Sequence, residues 1–151
     1  MSPPPVLVSC RVLESALLGR KVGYTGHSDV YSDGREVGPV PRLAIVEALN
    51  GGEIMLLHCG RNWNVKAVAA YASVKGAKQR AERIYPGVSD QWKKSGVSKA
   101  QAKAYLARAW KGMECSFCSR RPDQVQHLIS KGSTRVCDVC VREFYGGLNG
   151  G

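Results

Sequence analysis

The sequence predicts an α+β protein in two parts: a small antiparallel sheet with helices, then a C-terminal module held together by cysteines. Three observations predict it. Three β-rich runs separated by turn residues lie between Leu43 and Tyr71. Two stretches with helical spacing and start signals follow at Val74 and Ser98. Four of the six cysteines fall into two Cys-x-x-Cys pairs near the end.

The first forty residues carry the weakest pattern. After a proline-rich start, Val6–Leu18 is mostly apolar and reads as a short strand entering a helix. Lys21–Val40, rich in Gly, Ser and Asp, reads as turns with one short strand. From Leu43 the pattern sharpens. Leu43–Leu49 is apolar, and Asn50-Gly51-Gly52 is a turn, because Asn and Gly tolerate positive φ. Glu53–Cys59, the polar turn Gly60–Asn64 and Val65–Tyr71 complete a three-stranded meander, with a helix over Arg42–Leu49 as the alternative. Ser73 is placed to cap a helix over Val74–Ile84, with Val74, Ala77, Ala81 and Ile84 on one face and Pro86-Gly87 ending it. Ser98-Lys99-Ala100-Gln101 has capping-box spacing and opens a second helix to about Lys111, with Ala102, Tyr105, Leu106 and Ala109 inward. The expected division is residues 1–111 for a small basic domain, 112–146 for the cysteine module, and 147–151 for a flexible Gly-rich tail.

Charge is unevenly spread over a formal net of +10. Residues 73–111 hold ten Lys/Arg against two Asp/Glu, while 1–72 hold seven against six. A basic block of this kind implies either an acidic partner or a solvated helix face. Lys75, Lys78, Arg80, Arg83, Lys93, Lys94, Lys99, Lys103 and Arg108 are the candidates for phosphate contact. Tyr85, Trp92, Tyr105 and Trp110 lie among them, as base stacking would require. No apolar run reaches the roughly 18 residues of a membrane span, and the start lacks a basic, apolar leader. Six cysteines in such a chain point to metal rather than disulfides, and to a cytoplasmic location.

Cys115-Ser116-Phe117-Cys118 and Cys137-Asp138-Val139-Cys140 are separated by 18 residues, within the range of zinc ribbons and treble-clef knuckles. Two residues between cysteines let both sulfurs face one ion. Two such pairs give four thiolates, a closed tetrahedral shell for Zn²⁺ with no position left for substrate. A module with so few large apolar residues depends on that metal for folding.

The same segment resembles the N-terminal zinc-binding domain of the ClpX family. The likeness rests on Cys115-Ser116-Phe117-Cys118, Val125, Leu128-Ile129, Gly132, Val136, Cys137 and Cys140-Val141. Ser119 replaces the family's usual Gly, and Lys131-Gly132 stands where Gly-Pro is usual. The resemblance implies a treble-clef C4 zinc finger with a short helix over Cys137–Tyr145. It also implies self-association, and docking of a protein partner through exposed apolar residues. By position these are Phe117, Val125, Leu128, Ile129, Val141 and Phe144, about half of them expected to be core. Met55–Trp92 is in addition similar to small bacterial domains that run strand, aromatic turn, strand and Ala-rich helix, which implies fold only.

Catalytic signals are sparse. The phosphate loop of the ClpX motor, G-x-x-x-x-G-K-[ST], is absent. His127 lacks the partners of an HNH nuclease, and His27 in Gly26-His27-Ser28 has no catalytic context. His58 and Cys59 are neighbours on a strand and so point to opposite faces. The expectation is a non-enzymatic bacterial or phage protein that binds zinc and acts through protein contacts as an adaptor, inhibitor or regulator. Nucleic-acid binding is the alternative, and a ubiquitin-like modifier ending in Gly150-Gly151 a more remote one.

Overall fold

The computed structural model describes residues 2–150. The chain divides into two compact units after Ala102.

The first unit begins with β1 (Val6–Leu7) and β2 (Cys10–Leu17). The helix expected within Val6–Leu18 is a strand. Cys10, Val12, Glu14 and Ala16 are buried while the residues between them are not, a period of two that a helix cannot use. β3 (Tyr31–Ser32) and β4 (Arg35–Glu36) form a separate hairpin across Asp33-Gly34, both at positive φ. The meander follows as β5 (Arg42–Ala48), β6 (Ile54–Cys59) and β7 (Val65–Tyr71). The curled antiparallel sheet has the order β1-β2-β5-β6-β7. A two-residue strand, β8 (Lys93–Lys94), shares the outer edge of β2 with β1 and sets Lys94 opposite Glu14.

Leu43, Ala44, Ile45 and Val46 are all fully buried, because both faces of β5 are covered. Leu43, Ile45 and Leu56 pack with Ala77, Ala81 and Ile84 of α1 (Val74–Ile84). Ala44, Val46 and Leu57 pack on the other face with Cys10, Cys59 and Trp63. A continuous apolar run is therefore a doubly covered strand here, which excludes the helix alternative for Arg42–Leu49.

Ser73 Oγ accepts from Gly76 N at 3.0 Å and starts α1. Tyr85 closes the helix, and its hydroxyl accepts from Val40 N at 3.1 Å. Gly87 has φ 96°, and a Cβ there would lie 2.9 Å from Lys21 O, so no other residue fits that turn. After a 3-10 turn at Val88–Asp90, the chain enters α2 (Lys99–Ala109). Ser98 N donates to Gln101 Oε1 at 2.8 Å and Gln101 N to Ser98 Oγ at 3.1 Å, a reciprocal cap. Ala102 and Leu106 are buried and Tyr105 half-buried, but Ala109 is exposed.

The second unit holds a 3-10 turn at Pro122–Gln124, the hairpin β9 (Leu128–Lys131) and β10 (Thr134–Cys137), and α3 (Asp138–Gly150). Gly132, at φ 61°, takes the first turn position of the hairpin, where a II′ turn places glycine. α3 is longer than the helix expected over Cys137–Tyr145, and residues 147–150 are helical rather than a loose tail. Leu148 continues the stripe begun by Val141, Phe144 and Tyr145 at helical spacing, and Asn149 Nδ2 donates to Tyr145 O at 3.1 Å. Gly151 lies outside the described residues. No helix among the described residues is long and apolar enough to cross a membrane.

Candidate metal centre

The first cysteine pair sits on a knuckle. Cys115 N donates to Arg120 O at 2.8 Å and Ser119 N to Cys115 O at 3.0 Å, which curls the chain around the two sulfurs. Ser119 adopts φ 65°, the left-handed region that favours glycine. The knuckle is tied to β10 by Ser116 N donating to Arg135 O at 2.8 Å and Arg135 N to Ser116 Oγ at 2.9 Å.

The second pair straddles the junction of β10 and α3. Cys137 ends the strand and Cys140 lies in the first turn of the helix. Asp138 fixes that junction. Its Oδ1 accepts from Gln126 N and His127 N, both at 3.1 Å, and its Oδ2 from Arg142 Nη2 at 2.8 Å. The His127 amide, more than any other group, holds this carboxyl below the usual carboxylate range. Asp138 N donates to His127 O at 3.0 Å, closing the loop from the other side.

These elements bring Cys115, Cys118, Cys137 and Cys140 together, with all four Sγ atoms within 4.8 Å of one another. Cys115 Sγ lies 3.8 Å from Cys140 Sγ, and Cys118 Sγ 3.6 Å from Cys137 Sγ. A tetrahedron with metal–sulfur bonds of about 2.3 Å has edges of about 3.8 Å, so the cage fits Zn²⁺. Its electrostatics fit too. Burial opposes ionisation of Cys115, but the amides of Cys118 and Phe117 outweigh it and bring that thiol to about 6. Cys118 is lowered chiefly by the Arg120 amide. Cys140 is raised by burial and by its thiol neighbours. Cys140 therefore resists ionising beside its neighbours, and a central dication would supply the charge that favours its thiolate. Bound there, zinc would clamp knuckle, hairpin and helix into one body.

Knuckle, β-hairpin and helix around four thiolates define a treble-clef zinc finger. Residues 113–149 match the family model of the ClpX C4-type zinc finger, about a quarter of the chain. No curated protein and no solved structure matches it.

The six apolar candidates divide. Val125 and Leu128 are half-buried and pack against the cysteine cluster, so they are core. Phe117, Ile129, Val141 and Phe144 are 59%, 57%, 40% and 47% exposed. With Val136, Tyr145 and Leu148 they line a groove of about 490 Å³. Tyr145 and Leu148 escape a reading that ends the helix at Tyr145, although Val141, Phe144, Tyr145 and Leu148 keep the i, i+3, i+4, i+7 spacing.

Of the nine basic candidates, Lys78 bonds Glu14 Oε1 at 2.8 Å, Arg80 bonds Asp29, and Lys99 lies 3.9 Å from Glu47. Lys75, Arg83, Lys93, Lys94, Lys103 and Arg108 are exposed, with no carboxylate in ion-pair range among the described residues. The aromatics between them are not a stacking platform. Tyr85 is buried, Trp92 packs against the main core, and Tyr105 and Trp110 are half-buried.

His58 and Cys59 do face opposite ways. His58 lies beside Tyr85, ring centroids 6.4 Å apart, while Cys59 packs with Cys10 and Trp63. Burial lowers His58 to about 4 and raises Cys59 to about 12. His27 Nδ1 meets Glu36 Oε1 at 3.1 Å, and the His127 ring is exposed.

Proposed function

We propose that the protein is a non-enzymatic, zinc-dependent interaction protein, an adaptor, inhibitor or regulator that docks a protein partner through its zinc module. One observation carries this reading: the groove lined by Phe117, Ile129, Val141, Phe144, Tyr145 and Leu148 leaves large apolar side chains in water on a module with little core of its own. Aromatic and aliphatic anchors clustered in one depression are what the centre of a protein interface needs. A second copy of the chain, presenting the same face, would fit by two-fold symmetry.

The non-enzymatic part of the proposal rests on the four-thiolate shell, which leaves zinc no open position, and on the separation of His58 from Cys59. A modifier-like role has little support, because conjugation needs a slim extended end and the chain is helical to Gly150. Four thiols kept ready for zinc suit a reducing, cytoplasmic setting.

The test compares the zinc-loaded chain with a Phe144→Ser, Leu148→Ser double variant, by sedimentation and by affinity capture from a bacterial lysate. The proposal expects a partner or a second copy bound by the wild type and lost from the variant, with zinc content unchanged. Equal association by both proteins would refute it.

A further inference from the structure

The outward face of α1 has the chemistry of a phosphate-binding surface. Ala77, Ala81 and Ile84 turn inward, and Lys75, Gln79 and Arg83 follow one another outward at intervals of four, all exposed. Lys75 and Arg83 are separated by about 12 Å of helix rise, roughly the axial length of three to four base pairs. A groove of about 710 Å³ lies along the stripe, with Val74, Lys78, Glu82 and Ser89 also on its wall.

Two of the three acids near this face, Glu82 and Glu14, are bonded within the fold. Glu82, the one acid on α1, accepts from Gly87 N at 2.9 Å and Ser89 N at 3.2 Å. Glu14 holds Lys78 at 2.8 Å, and the strand register sets Lys94 directly opposite Glu14, beside that pair. Asp90, in the 3-10 turn, is the remaining acid nearby. Lys75, Arg83 and Lys94 are exposed to solvent, with no carboxylate partner among the described residues.

The geometry points to this face, α1 with β8, as a binding surface for duplex nucleic acid, held through backbone phosphates by Lys75, Arg83 and Lys94. A protein partner fits poorly, because the face offers no exposed aromatic or large aliphatic anchor. A single strand fits poorly too, because Tyr85 and Trp92 are taken up by the core and cannot stack on bases. Phosphate contact alone gives binding without sequence preference.

The experiment uses the full zinc-loaded chain and a fluorescent duplex of roughly 20 base pairs, titrated between about 50 and 200 mM salt. Three phosphate contacts predict a slope of log affinity on log salt near −3, at about −0.9 per contact. Lys75→Ala, Arg83→Ala and Lys94→Ala should each weaken binding about tenfold at the low-salt end and reduce the slope by about 1. Arg35→Ala and Lys66→Ala, exposed cations on β4 and β7, should change neither. Circular dichroism and zinc content confirm that every variant is folded. Four results would overturn the assignment: no binding at low salt, tighter binding of the single strand, equal displacement of the duplex by polyglutamate, or losses in the control variants as large as in the test set.

Discussion

The rings of Phe117 and Phe144 meet edge to face, centroids 5.2 Å apart and planes inclined by 79°. One ring comes from the knuckle and the other from α3, so the pair bridges the two halves of the metal cage while both rings stay about half exposed. An edge-to-face pair contributes about 1 kcal/mol beyond area burial, too little to hold the module together. The pair therefore lies in the exposed apolar groove that we propose docks a partner, and the folding of the module is expected to rest on its metal.

The contrast between Phe144 and Val125 follows directly. Phe144→Ser should lower stability only by the ring pair's contribution of about 1 kcal/mol and leave zinc content unchanged, while reducing binding of an apolar dye. Val125→Ala, beside the cysteine cluster, should cost about 1–2 kcal/mol and weaken zinc retention against a chelator. Competition with a chromogenic chelator reads both.

Ser119 sits at φ 65°, where a side chain is strained. Ser119→Gly should therefore stabilise the module by about 1 kcal/mol, seen as roughly fivefold slower or weaker loss of zinc. An unchanged or reduced zinc affinity would show that the knuckle does not hold this conformation.

Removing zinc should separate the two units. The first has its own packed clusters on both sheet faces, whereas the second is built around Cys115, Cys137 and Cys140. With excess chelator, amide resonances of residues 113–149 should collapse to unfolded positions while those of β2, β5, β6 and α1 keep theirs. Global unfolding on chelation would contradict this division.

His58 sets an acid limit on the first unit. It is fully buried, with neither ring nitrogen bonded among the described residues, and burial lowers it to about 4 from an ordinary value of 6.5. The unfolded chain takes up this proton first, so stability is full above about pH 6.5 and declines by up to about 3 kcal/mol as pH falls to 4. His58→Leu should flatten that decline in urea melts between pH 7 and pH 4, values that bracket the titration.

Much of this was legible in residues whose neighbours in sequence decide their state. Ser73 and the Ala77, Ala81, Ile84 stripe mark α1 to the residue, and two Cys-x-x-Cys pairs mark the cage, because capping and knuckle geometry are local. What was hidden depends on distant partners. β8 has no apolar pattern at all, and it is a strand only because β2 offers an edge, with Ser95 N donating to Leu13 O at 2.9 Å just beyond it. The extension of α3 was masked by Gly146-Gly147, whose low helix propensity argues for an end there although Leu148 keeps the apolar spacing. The basic segment was legible as charged, but the spacing of its aromatics fits core and stacking alike, and nothing in it shows that Tyr85 bonds Val40 across 45 residues.

X-ray absorption at the zinc edge tests the central claim most directly. One zinc per chain, with four sulfur scatterers at about 2.3 Å and no light-atom ligand, is the expected spectrum. A protein purified without metal, or a first shell containing nitrogen or oxygen, would contradict the four-thiolate cage formed by Cys115, Cys118, Cys137 and Cys140.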